Sequence, residues 1–307
     1  PLSSGYNPIK YIFKDIILYV CLLSILIFGL AMLYSSSGQS ISMVIRQSVY
    51  IFSGLILMTF ISHQKPDSYK NLLMHSYWIG LFLLVYVLLF PASGYSTSRW
   101  IDLGFFSFQP SEIIRLILPL SLIAYLCRKE SPVQLLDWFY TTLAAFICSF
   151  LVFKQPDLGT SIIVLTSGLI PIYLAGLPYK IIIAYLGLAL VAAPFIWANL
   201  LDYQKQRVLT YFDSNVDPLG DGWNIAQSKT AIGSGGFFGK GYLEGTQSQL
   251  NFIPESHSDF IFSVVGEEFG LLGIGLLFFV YAIIIWRIFK IGFAAQSNFE
   301  RLACSSL

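Results

Sequence analysis

The chain has 307 residues, of which 56% are hydrophobic and 11% charged, and its mean hydropathy is +0.70. Soluble domains carry about 25% charged residues, so a soluble globular protein is excluded, and an aromatic content of 16% excludes a disordered chain. A net charge of +1 supplies no field for nucleic acid, which is excluded as a partner.

A membrane helix needs about 20 mostly apolar residues. Eight stretches qualify in chain order: 16–34, 43–62, 71–90, 110–127, 138–153, 158–177, 181–201 and 259–286. The expected fold class is an all-α polytopic membrane protein with eight transmembrane helices in one domain, 1–307. A membrane β-barrel would show alternating segments of about ten residues, and none is found. Stretch 16–34 is too long for a signal-peptide core, and no small-residue cleavage site follows it. Cys21, Cys127, Cys148 and Cys304 form no CxxC pair, so neither a disulfide framework nor a zinc site is expected.

Basic residues in short loops mark the cytoplasmic side. Lys10, Lys14, Lys65, Lys70, Arg128, Lys129, Lys180, Arg287, Lys290 and Arg301 fall on one side, and only Arg99 and Lys154 in the short loops of the other. The N-terminus is therefore read as cytoplasmic. The long segment 203–258, between helices seven and eight, is read as an extracytoplasmic loop. It is rich in aromatics, with helical spacing over 203–212 and 223–232 and a turn at Asp221-Gly222. It is expected to roof a groove on the outer face.

Polar residues in apolar spans mark functional positions. Glu112 and Arg115, three apart on one helix, read as an ion pair facing the bundle interior or as a substrate contact. Arg46 either snorkels to the interface or holds a phosphate. Asp157 either caps helix six or faces the outer cavity. His75 reads as a buried polar residue. Of Glu267 and Glu268, at most one is expected to face the interior. Six glycines crowd between Gly233 and Gly245. They fit neither a P-loop nor a dinucleotide fingerprint, and read as a tight irregular loop or, with Lys240, as a cradle for an anionic headgroup. Asp259 opens the last span, with Glu255 and His257 just before it. It is either a helix cap or a carboxylate at an outer polar site. Transporter, channel and lipid-processing enzyme all remain open on these residues alone.

Three runs narrow the choice: Gly239-Lys-Gly-Tyr-Leu-Glu-Gly-Thr-Gln-Ser-Gln-Leu250, Phe252-Ile-Pro-Glu-Ser-His-Ser-Asp-Phe-Ile-Phe262 and Gly266-Glu-Glu-Phe-Gly270. With Arg99-Trp-Ile-Asp-Leu-Gly104, Phe108-Gln-Pro-Ser-Glu112, Gln155-Pro-Asp-Leu-Gly-Thr160, Arg207 and Gln227-Ser-Lys229, they closely resemble the SEDS family (shape, elongation, division and sporulation), in its elongation branch. Ser258 stands where the family usually has Thr. The family has ten spans, so by this resemblance the chain is incomplete at its C-terminus.

The resemblance implies a peptidoglycan glycosyltransferase. It would polymerise lipid II at the outer face of the bacterial inner membrane during cell elongation, beside a class B penicillin-binding protein. Asp259 matches the family's essential acid. The resemblance implies a general base there, or a ligand for a divalent cation, Mg or Mn. The other implied substrate-binding residues are Arg46, Arg99, Asp157, Arg207, Lys229, Lys240, Glu255 and His257, with Glu112 and Arg115 as an ion pair or cavity residues. The alternatives are a lipid II flippase and a non-catalytic scaffold of the elongation complex.

Overall fold

The structure, a computed structural model, describes residues 15–64, 66–90, 99–102, 107–129, 133–213, 216–217, 220–249 and 256–306. A helix lies over each of the eight apolar stretches. These are α1 (Ile16–Ser36), α2 (Ile41–Ser62), α3 (Pro66–Leu89), α4 (Pro110–Leu126), α5 (Leu135–Lys154), α6 (Leu158–Leu174), α7 (Tyr179–Asn199) and, after three shorter helices, α11 (Ile261–Ala294). The three are α8 (Asp202–Phe212), α9 (Asp221–Ser234) and α10 (Thr246–Gln249), and α12 (Asn298–Ser306) closes the series. Three features had no sequence expectation: α10, α12, and a short antiparallel pair, β1 (Ile101–Asp102) with β2 (Ser107–Phe108). Asp221 and Gly222, read as a turn, instead form the first turn of α9.

Six of these helices are long and apolar enough to cross a membrane: α1, α2, α3 from Tyr69, α5, α7 and α11. The chain is a polytopic helical membrane protein. Helix α6 is apolar but shorter. No residue of α2 or α7 is buried. Hydrocarbon solvates such helices as well as a protein core does, so burial is not what holds them.

The chain divides into two compact units, Pro1–His63 with Ile196–Arg287 and Gln64–Phe195 with Ile288–Leu307. The second unit is built around α4. Its residues Ile114, Leu118, Leu122 and Leu126 recur every four positions, so they form one stripe, and all are buried. They pack with Leu84 of α3, Trp138, Ala145, Cys148 and Val152 of α5, and Val164 and Ile172 of α6. Small residues bring the backbones close: a Cβ on Gly168 of α6 would lie 2.7 Å from that of Ala145. Hydroxyls join the helices where no water competes. The Ser149 and Ser161 hydroxyls lie 2.9 Å apart, Ser121 donates to the Leu73 carbonyl at 2.7 Å, and Tyr185 donates to Thr142 at 2.9 Å. Helix α12 buries Phe299 against Ile123 and Ala124.

The first unit has a smaller apolar cluster, Met32 of α1 with Val264 and Val265 of α11. Farther along the same two helices, Asp15 caps α1 by accepting from the Leu18 amide at 3.1 Å. Its carboxylate also receives the Arg287 guanidinium, Nε at 2.8 and 2.9 Å and a terminal nitrogen at 2.6 Å. A planar fork is needed for this grip, and a lysine cannot reproduce it. Arg287→Lys is expected to lower stability by about 1–3 kcal/mol, read as a fall in melting temperature in detergent. An unchanged melting temperature would show the pair to be idle.

Candidate functional site

The residues that carry chemistry in the first unit gather on a break in α11. Gly270 has φ +63 and ψ −161, so the helix cannot continue through it. A break in a membrane helix frees carbonyls before it and amides after it, and these need partners. The glycine-rich loop supplies them. The Lys240 and Gly241 amides donate to the Glu267 and Glu268 carbonyls at 2.9 and 3.0 Å, and the Leu271 and Leu272 amides donate to the Gly236 and Phe237 carbonyls at 2.9 and 3.1 Å. The fit requires glycine. A Cβ on Gly235 would lie 2.0 Å from the Gly266 carbonyl oxygen, and one on Gly239 2.1 Å from that of Glu268. The Lys240 and Gly241 amides therefore serve the helix, not an anionic headgroup.

The sequence expectation for the two glutamates is corrected here. Both are buried, Glu267 at 0% and Glu268 at 1% exposure. They are one residue apart and so point about 100° apart on the helix, each with its own partner. Glu267 faces the loop, where its carboxylate accepts from the Lys240 ammonium at 2.7 Å, the Thr246 hydroxyl at 3.0 Å and the Gln247 amide at 2.9 Å. Lys240 also donates to Thr246 at 2.7 Å. Glu268 faces α1 and accepts from the Ser35 hydroxyl.

The end of α1 also anchors the turn that carries Asp259. Ser256 is buried and its hydroxyl donates to the Ser36 carbonyl at 3.0 Å. The turn then runs through His257, Ser258 and Asp259, all exposed, into α11. Asp259 thus stands in the open on a turn held at both ends, by Ser256 on one side and α11 on the other. The Ser228 hydroxyl of α9 meets that of Ser263 in the first turn of α11. Lys229, the next residue of α9, is exposed, as are Arg207 on α8 and Arg46 on α2. Glu255 lies outside the described residues. Nothing in the sequence marks Ser35, Ser36, Ser228 and Ser256 as these contacts, because each pairs with a residue distant along the chain.

In the second unit, Arg99 is bound to the junction of α5 and α6. It donates to the Gln155 carbonyl at 3.1 Å and to the Pro156 carbonyl, and lies 3.5 Å from the Asp157 carboxylate. Asp157 caps α6, accepting from the Thr160 amide at 3.1 Å. Glu112 and Arg115 pair at 2.7 Å, but their side chains are 46% and 41% exposed. The expectation of a pair facing a bundle interior is corrected: the pair lies in the first two turns of α4, on a side that the described residues leave half open. His75 is exposed rather than buried, with a ring nitrogen 2.7 Å from the Asn71 carbonyl.

Residues 15–307 match the family model of the FtsW, RodA and SpoVE cell cycle proteins. The chain belongs to that family. Among relatives, it is 41% identical to the peptidoglycan glycosyltransferase MrdB of Escherichia coli strain K12, over 98% of this chain and 83% of that protein. Among solved structures, it resembles a chain from a peptidoglycan synthase complex that coordinates polymerization and crosslinking, with a TM-score of 0.78 at 28% identity, covering 94% of this chain and 81% of that one. The rod shape determining protein RodA of Thermus thermophilus matches with a TM-score of 0.67 at 25% identity, over 94% of this chain and 78% of that one. The SEDS resemblance seen in the motifs is thus family membership across nearly the whole chain.

Proposed function

We infer that this member of the FtsW, RodA and SpoVE family is a peptidoglycan glycosyltransferase that polymerises lipid II during cell elongation. The observation that supports this most is the match to MrdB along 98% of the chain. The reaction joins an acceptor sugar hydroxyl to the anomeric carbon of the donor and breaks that carbon's bond to the lipid diphosphate. The acceptor proton goes to the Asp259 carboxylate, which is exposed and held on an anchored turn. One displacement inverts the anomeric carbon and gives a β-linked glycan. The departing diphosphate is met by exposed cations, for which Arg46, Arg207 and Lys229 are suited. Arg99 and Lys240, already held by protein carboxylates, act by shaping loops.

Among the described residues, no three acids, histidines or cysteines cluster as metal ligands. A Mg or Mn ion bound through Asp259 would draw its other ligands from the diphosphate and water, and would supply charge neutralisation to the leaving group.

In this reading the chain crosses the bacterial inner membrane eight times, with the N-terminus inside and segment 203–258 outside, and a class B penicillin-binding protein crosslinks its product. Topology is tested by thiol labelling of a cysteine-free protein in spheroplasts. Tyr211→Cys is expected to react with an impermeant reagent and Arg128→Cys to remain unlabelled, and the opposite pattern would overturn the orientation. Activity is tested by glycan synthesis from purified lipid II in detergent, by full-length protein with its partner.

A further inference from the structure

A cavity of about 350 Å³ opens in the second unit between α3, α4 and α5, and no residue discussed as catalytic is among its lining. Its size is within the range of ligand pockets, about 300–1,000 Å³. Four of the five hydroxyls on its wall, all but that of Tyr140 at the exposed rim, are already used inside the protein. Tyr77 donates to the Ala144 carbonyl at 3.4 Å, Ser121 to the Leu73 carbonyl at 2.7 Å, Tyr125 to the Asp137 carboxylate at 2.8 Å and Thr141 to the Asp137 carbonyl at 2.9 Å. A polar occupant would lose its water and gain little in return. A hydrocarbon chain loses nothing, and Trp78 and Tyr140 on the rim, both more than half exposed, leave it a way in from the side.

One end of the cavity is basic. Tyr125 lines it, and the Lys129 ammonium sits 4.9 Å from that ring's centre while pairing with Asp137 at 2.9 Å. These bonds hold the Lys129 ammonium above the usual lysine range, the Asp137 contact most of all. Arg128, exposed beside it, donates to the neutral side chain of Asn71. Among the described side chains at this end, Lys129 is balanced by Asp137 and Arg128 adds a cation.

We propose that this cavity is a binding site for an anionic phospholipid, with one acyl chain lying between α3 and α5 and the phosphate at Arg128 and Lys129. The chemistry selects the occupant. The cation at this end favours a lipid of net negative charge over a zwitterionic one, whose choline offsets its phosphate. The site is independent of the glycosyltransferase reading.

The test is quenching of Trp78 in vesicles of phosphatidylcholine containing a small fraction of brominated phosphatidylglycerol, with Trp78→Phe subtracted to isolate its signal. Quenching is expected to report a local enrichment of about five-fold over the bulk fraction, the size one cation near an anionic surface gives. Brominated phosphatidylcholine at the same fraction is expected to quench in simple proportion. Arg128→Gln, at an exposed position, is expected to remove the enrichment, and Ala144→Phe, which fills the cavity, to remove it at unchanged melting temperature. Quenching in simple proportion by both lipids in the wild-type protein would overturn the proposal, and so would enrichment that survives Arg128→Gln.

Discussion

Lys240→Met is expected to destabilise the protein by about 3–5 kcal/mol, the cost of breaking a buried ion pair from one side. The carboxylate left behind, on Glu267, has no exposure. It would keep the Thr246 hydroxyl and the Gln247 amide but lose the Lys240 ammonium. The reverse change is milder. Glu267→Gln leaves Lys240, which is 27% exposed and can turn toward water, and the new amide oxygen still accepts from Gln247. The expected order is therefore Lys240→Met well below Glu267→Gln, with the double variant above Lys240→Met alone. Denaturation in detergent checks it. Equal losses for the two single changes would show that the environment of Glu267 is not closed to water. The Glu112–Arg115 pair falls outside this logic, because both side chains are half exposed and loss of one does not strand the other inside the protein.

Asp259→Asn is expected to leave folding intact and to lower glycan synthesis by roughly 10²–10⁴-fold, the usual cost of losing a general base. Asparagine has the same shape, and the position is exposed on a turn anchored elsewhere, so stability should change by no more than about 0.5 kcal/mol. It cannot take a proton and binds a cation poorly, so base and metal ligand are both lost. Rates on lipid II, with melting temperature and partner co-purification as controls, measure the effect. A variant that melts normally and polymerises at the wild-type rate would remove Asp259 from the reaction.

What was legible in the sequence follows from the range of each interaction. The eight apolar runs could be read because a bilayer demands long uninterrupted helices, a constraint visible within 20 or so residues. The Asp157 cap and the Glu112–Arg115 pair were legible as candidates because each joins residues three apart. Exposure of that pair was not legible, since it depends on what packs beside α4. The break at Gly270 was hidden because 259–286 reads as one continuous span, and only a distant loop can satisfy the freed backbone groups. The partners of Glu267 and Glu268 were hidden for the same reason. Lys240 lies 27 positions from Glu267, and Ser35 lies 233 from Glu268. The glycines of 233–245 were conspicuous, but their purpose became plain only with the α11 carbonyls against them.

The most direct measurement supplies lipid II in detergent, where nothing has to cross a membrane, to the protein with the penicillin-binding protein proposed as its partner, and analyses the linkage of the product. The expected result is a β-linked glycan that grows with time, is released from the lipid diphosphate, and is missing when Asp259→Asn replaces the wild type. No polymer from the wild-type protein, together with movement of lipid II across liposomes that contain it, would contradict the enzyme and leave a transporter in its place.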